Sequence, residues 1–326
     1  MKSLIIGYGS IGKRHIENLQ KLKNMEIIVC TKRKNDNFLK KHNCKVYPSL
    51  DLSLKESPDF AIICNETYLH ISTALKLAQH KVHFFIEKPF GDSLSNTKKL
   101  IEITKKNQLI SMVGCNFRFH PGIIQMKKII DGNELGKIIS VHSENSSFLP
   151  DWHPNEDYSK SYASNKKLGG GVILTCIHEL DYLIWLFGKI KNIQTISGKF
   201  SDLKIDVEDF STSLIHFKNM VVAELHLNFF QKPSSRNCKI IGTNGTVIWD
   251  YFENKVKLYD HKKNKWVIKL DKKNYDLNSM YVDQLSHFLN CIETNSQTIN
   301  PVNDALETLS LALIMKKHQN TQKWKK

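Results

Sequence analysis

Leu4-Ile5-Ile6-Gly7-Tyr8-Gly9-Ser10-Ile11-Gly12-Lys13-Arg14-His15 is the stretch on which the fold turns. Three strand-forming apolar residues run straight into Gly7-x-Gly9-x-x-Gly12, and apolar residues at helical spacing follow. In such a turn Gly7 permits the tight bend, Gly9 lets the backbone approach a pyrophosphate, and Gly12 lets the helix pack on the strand. The unpaired N–H groups around Ser10 and Ile11, at the positive end of the helix, then face the anion. Glycine triads also make ordinary turns. The strand before this one and the helix after it turn the triad into an expectation of dinucleotide binding.

Working outward, apolar strands alternate with helices through the first third. Strands are expected over 4–6, 27–31, 61–64, 83–86 and 110–113, with helices over 11–22, 70–79 and 94–105. That alternation predicts a Rossmann-type doubly wound parallel sheet covered on both faces. Ligands of such sheets lie beyond the carboxyl ends of the strands, where Gly7, Thr31, Asn65, Glu87-Lys88-Pro89 and Asn116 fall. The pattern changes near Pro121. Helices over 123–130 and 171–187, a strand over 138–142, a loop over 144–167 and strands over 193–200, 210–217, 221–228, 237–241 and 246–249 predict an α+β domain. Its sheet is large, open and mostly antiparallel, and helices over 280–291 and 305–317 close the chain. The expected division is 1–120 for the dinucleotide domain and 121–326 for a substrate-binding and oligomerisation domain, with a frayed lysine-rich tail.

With 326 residues, 41% of them hydrophobic and 24% charged, the chain has the make-up of a two-domain globular protein. No apolar run approaches the roughly 18 residues that would cross a bilayer, and the early glycines interrupt any signal-peptide pattern. Seven dispersed cysteines without a Cys-x-x-Cys pair fit reduced thiols in a cytoplasm and argue against a metal site. The net charge of +15 is almost all scattered lysine, with arginine only at 14, 33, 118 and 236. Nucleic-acid readers lean on arginine forks and a concentrated basic face, so no nucleic-acid partner is expected, and no membrane.

Two further clusters carry chemistry. Pro89 biases Lys88 toward an extended backbone at a strand end, where its ammonium can polarise a hydroxyl. Gly169-Gly170-Gly171 precedes a helix in which Thr175, His178 and Asp181, spaced three apart, share one face, and an imidazole is the side chain able to take or give a proton near neutral pH.

The Gly7-x-Gly9-x-x-Gly12-x-x-His15 opening, Glu87-Lys88-Pro89, Asn116-x-Arg118-Phe119-x-Pro121 and Gly169-Gly-Gly171 through His178-Glu-Leu-Asp181 occur in an order that resembles the glucose–fructose oxidoreductase, inositol dehydrogenase and MocA-like (Gfo/Idh/MocA) family. The resemblance covers nearly the whole chain. It implies an NAD(P)-dependent sugar dehydrogenase or reductase of the surface-sugar branch, acting by hydride transfer. Lys88 would bridge the nicotinamide ribose and the reacting hydroxyl, His178 would be the general acid/base, and Asn65 and Glu87 would line the ribose, with His70 nearby. It also implies a homodimer or homotetramer. Related sequences carry an aspartate where Thr175 stands, so His178 is expected to be a weaker base, with support from Asp181.

The second strand ends Cys30-Thr31-Lys32-Arg33-Lys34 without the carboxylate that NAD binders place there, so NADP is favoured over NAD. Trp152, Tyr158, Tyr162, Lys166 and Arg118 are expected at the substrate, a sugar, nucleotide-sugar or sugar acid. The alternatives are an epimerase or lyase that retains its cofactor, and a non-catalytic NADP-binding protein marked by Thr175.

Overall fold

Apolar residues on both faces of a short strand have a stable place only inside a covered parallel sheet. β1 (Lys2–Ile6) takes that place, with Leu4 and Ile5 fully buried. The computed structural model describes residues 1–33 and 36–317; Lys34 and the lysine-rich stretch from 318 onward lie outside the described residues. After β1 come α1 (Ser10–Leu22), β2 (Glu26–Cys30), α2 (Asn37–Lys41), β3 (Lys45–Tyr47), α3 (Leu50–Leu54), β4 (Phe60–Ile63), α4 (His70–Gln79), β5 (His83–Glu87), α5 (Thr97–Lys106) and β6 (Ser111–Gly114). The six strands form one parallel sheet in the order β3-β2-β1-β4-β5-β6. β3, α2 and α3 escaped the periodicity because each spans five residues or fewer.

The second sheet begins beyond α6 (Pro121–Asp131), with β7 (Ile138–Phe148). α7 (Val172–Thr175), α8 (Ile177–Phe187), β8 (Ile190–Gly198), β9 (Phe210–Phe217), β10 (Val222–Asn228), β11 (Phe230–Gly242), β12 (Gly245–Asp250), β13 (Lys255–Asp260) and β14 (Lys265–Asp271) follow. The eight strands lie in the order β14-β13-β12-β11-β7-β10-β9-β8, antiparallel except for β7 beside β10. α9 (Ser279–Thr294) and α10 (Val302–Lys317) end the described chain. Three expectations need correcting here. β7 does not give way to a loop at Glu144, because its pairing with β10 continues through Ser146 and buried Ser143 and Ser146 bond Tyr182 and Asn228. The helix expected over 171–187 breaks at Cys176, whose φ of −95° and ψ of 35° end α7. β13 and β14 went unread among their lysines.

The chain divides into two compact units, Met1–Asn116 with Leu277–Leu309, and Phe117–Asp276 with the residues from Ser310 onward. The expected 1–120 and 121–326 division thus gives way to one in which the first unit reclaims a late segment. Its physical cause is aromatic. Phe288 of α9 packs edge-on against Phe60 and Phe85, each with centroids 5.8 Å away, and all three are fully buried. Thr298 and Asn300 then bond Ser111 and Val113 along β6. Among the described residues no single helix is long and apolar enough to cross a membrane.

Truncating a fully buried phenylalanine removes transfer energy and leaves a cavity. Phe288→Ala is therefore expected to lower stability by about 3–5 kcal/mol, read as an earlier urea-unfolding transition; an unmoved midpoint would mean α9 contributes little to that core.

Candidate functional site

In the first unit the strand exits are built around missing side chains. Gly7 has φ +98°, and a Cβ there would stand 2.4 Å from backbone atoms of Cys64 and Asn65. A Cβ on Gly12 would meet the Gly7 carbonyl at 2.3 Å, so α1 starts directly on the turn. At Gly9 a Cβ would meet nothing within 4 Å, which leaves the turn open beside Ser10 and Ile11.

At the end of β2, Thr31, Arg33, Asp36, Leu39, Val46 and Pro48 line a pocket of about 430 Å³; Lys32 beside it is exposed. Asp36 is the carboxylate that the sequence reading missed, because it stands six positions past Cys30 as the cap of α2. It accepts from the Phe38 and Leu39 amides and, at 2.8 Å, from the Tyr8 hydroxyl, which above all holds its carboxyl below the usual range. Lys13 and Arg33 lie 5.0 and 5.8 Å from the centre of the Tyr8 ring.

The exits of β4, β5 and β6 carry Asn65, Glu87-Lys88 and Asn116. Asn65 donates to Thr73 at 3.1 Å. Its Oδ1 and that of Asn116 are buried acceptors without a hydrogen-bond partner among the described residues. Glu87 is buried and accepts from Nε2 of fully buried His15 at 2.6 Å, which joins α1 to the end of β5. Lys88 is half-buried. His70 turns both ring nitrogens onto backbone carbonyls and is 2% exposed, so its polar atoms are spent inside the protein rather than offered to a cofactor. Tyr281 of α9 was missed altogether. It shares a hydrogen bond with Asn116 and stacks under Arg14 at 4.5 Å, and burial, followed by Glu87, pushes its phenol pKa up. Its only sequence signal was an aromatic on a helix far along the chain.

In the second unit, Gly169 and Gly171 have φ of +80° and +105°, and a Cβ on Gly171 would strike the Glu208 carboxylate. Lys316 donates to the Gly170 carbonyl at 2.8 Å and pairs with Glu208 at 3.3 Å, so α10 anchors this turn. Thr175 ends α7 and His178 is the second residue of α8, both buried. Phe117 stacks on the His178 ring at 4.8 Å, and the Arg236 guanidinium lies over Phe117 at 3.8 Å.

The two arginines of this unit are committed elsewhere. Arg118 holds Asp181 through two bonds of 2.9 and 2.8 Å, with both side chains buried. Arg236 holds buried Glu179 at 2.7 Å. Two expectations change as a result. Arg118 serves a buried ion pair, because a guanidinium fork matches a carboxylate and a buried charge needs its partner. Asp181 is engaged by that fork, and the break at Cys176 lies between it and Thr175. Among the loop residues, Trp152 donates to Ser147 at 2.9 Å and Tyr158 accepts from the Lys204 amide at 3.1 Å, so the polar tips of both pin the loop. Tyr162 and Lys166 remain exposed.

Residues 1–117 match the oxidoreductase family with an NAD-binding Rossmann fold, and residues 123–248 match the Gfo/Idh/MocA C-terminal domain. An uncharacterised oxidoreductase of Bacillus subtilis is 25% identical over 94% of this chain and 91% of its own. A 2,7-anhydro-N-acetylneuraminate hydratase of Escherichia coli is 27% identical over 60% of this chain, which spans 51% of that relative's length. Among solved structures, UDP-N-acetylglucosamine 3-dehydrogenase GnnA from Acidithiobacillus ferrooxidans has the same fold, with a TM-score of 0.79 at 20% identity over 97% of each chain.

Removing one partner of a buried pair leaves an uncompensated charge. Asp181→Asn is expected to cost about 3–5 kcal/mol of stability, and Arg118→Met with Asp181→Leu to recover most of it. Equal melting temperatures for Asp181→Asn and the unaltered protein would contradict the assignment of Arg118 to this pair.

Proposed function

The chain belongs to the Gfo/Idh/MocA oxidoreductase family, and from that premise we propose that it transfers a hydride between a nicotinamide cofactor and a hydroxyl or keto carbon of a sugar, nucleotide-sugar or sugar acid in surface-glycan biosynthesis. The observation that carries the proposal is the row of groups at the carboxyl end of the parallel sheet. Gly7, Asn65, Glu87-Lys88 and Asn116 stand at the exits of β1, β4, β5 and β6. The open space at Gly9 suits a pyrophosphate, and the two buried asparagine acceptors suit ribose hydroxyls. When bound, nicotinamide supplies the hydride acceptor or donor.

The protein's share is proton management. Lys88 donates from Nζ to the reacting oxygen and stabilises negative charge as it develops there. His178 takes the hydroxyl proton on a ring nitrogen during oxidation and returns it during reduction, while Phe117 fixes the plane of the ring. Thr175 brings no charge to this imidazole. Tyr162 and Lys166, with the ring faces of Trp152 and Tyr158, contact the substrate. Arg118 and Arg236 are each paired with a buried carboxylate, so the exposed Lys166 is the cation proposed to meet an anionic group of the substrate. NADP is the favoured cofactor, because Arg33 and Lys40 bring cations to the β2 pocket while Tyr8 and two amides occupy Asp36. A second copy of the chain is proposed to cover the sheet face bearing exposed Ile196, Leu214 and Val222, giving a homodimer or homotetramer.

A second reading, a reaction that returns the hydride to the same substrate, is favoured by the hydratase relative. NADPH formation under a panel of sugars and nucleotide-sugars separates the two, since only net oxidation accumulates reduced cofactor. Lys88→Ala and His178→Ala are each expected to lower kcat at least 100-fold, the scale of a lost acid–base group; full activity in both would remove the roles given to Lys88 and His178, and NADPH binding without turnover on any sugar would leave only a non-catalytic binder. Thr175→Asp places a carboxylate near the imidazole, raises its pKa, and so moves the acid limb of kcat/KM to higher pH; a superimposable profile would exclude that coupling. Arg33→Ala is expected to weaken NADPH about tenfold while sparing NADH, as read by fluorescence titration.

A further inference from the structure

His70, the first residue of α4, meets the Pro89 carbonyl at 2.8 Å through Nδ1 and the Asn65 carbonyl at 3.0 Å through Nε2. A carbonyl oxygen only accepts, so each ring nitrogen holds its carbonyl only when it carries a proton. A ring with one proton holds one carbonyl, and a ring with two protons holds both. Burial pulls the imidazole pKa down, against the upward pull of the two carbonyls, Glu87 and Asp92. The two carbonyls belong to different strand exits. Asn65 follows β4, and Pro89 is the peptide neighbour of Lys88 beyond β5. The same turn is gripped a second time, since a Cβ on Gly91 would come within 2.5 Å of the Ile71 side chain.

We infer that His70 is a positioning residue, a cross-tie that fixes the Lys88-Pro89 turn against the Asn65 turn and so sets where the Lys88 ammonium stands. The inference rests on the role of Lys88 proposed above. The tie itself is a property of the backbone and is measurable without turnover. Without a donor at position 70 each turn keeps its sequence and strand but loses its common anchor.

The decisive measurement is amide hydrogen exchange on His70→Leu and His70→Gln, the second of which keeps a single donor nitrogen in place of two ring nitrogens that face different carbonyls. In His70→Leu, peptides covering 63–68 and 86–92 are expected to exchange about tenfold faster, the scale of one lost buried hydrogen bond. The peptide through β1 should stay as protected as before. His70→Gln is expected to restore protection at one of the two turns. NADPH affinity should fall in parallel, and kcat should fall more than KM rises. Unchanged exchange at both turns in His70→Leu overturns the inference. Should that variant fail to fold, wild-type exchange at both turns in His70→Gln overturns it equally. If Lys88→Ala proves fully active while the exchange changes as expected, the cross-tie stands and the function assigned to Lys88 falls.

Discussion

The first unit depends on one steric constraint. The backbone leaving β1 passes so close to the backbone leaving β4 that a Cβ at Gly7 would overlap Cys64 and Asn65. Only a glycine at positive φ makes that passage without strain. It brings the start of α1 over the sheet and gathers the strand exits at one edge. α1 then carries His15 inward to the Glu87 carboxylate, so the helix that starts on the glycine turn also braces the strand that ends beside Lys88. The turn's composition, the helix direction and the orientation of Glu87 are consequences of one close approach.

The second unit solves a different problem, which is to hold charge in a dry place. Four of its ionic side chains, three buried and Arg236 half-buried, are paired with each other, as Arg118 with Asp181 and Arg236 with Glu179. Such pairs add little net stability over an apolar core, yet they tolerate no partial loss. Their effect here is geometric. Arg236 lies over Phe117, which stacks on His178, so stacked rings and a cation help to orient the imidazole.

The parallel sheet was legible in the sequence because its strands are apolar on both faces and its turns carry glycine, proline and asparagine at diagnostic positions. The second sheet was harder to read. Ser143 and Ser146 made a buried stretch of β7 look like loop, and their partners, Tyr182 and Asn228, lie dozens of residues away. The candidate site divides the same way. Glycine turns and strand-end residues announce themselves locally, and the expectations at positions 7, 9, 12, 65, 87, 88 and 116 rest on that. Whether Arg118 meets a ligand or Asp181, whether His70 meets a ribose or two carbonyls, and that Tyr281 reaches Asn116 are tertiary facts without a local pattern. Asp36 was missed for a smaller reason, because a cap six residues beyond a strand does not read as its end.

The division of the first unit into Met1–Asn116 and Leu277–Leu309 bears on how this chain emerges from a ribosome. Phe60 and Phe85 are translated early, but the ring that seals them, Phe288, is made only after the whole second sheet. The amino-terminal half must therefore wait with part of its aromatic core uncovered while some two hundred intervening residues are synthesised and fold. Nascent chains halted before that point would expose those rings, a natural substrate for chaperones.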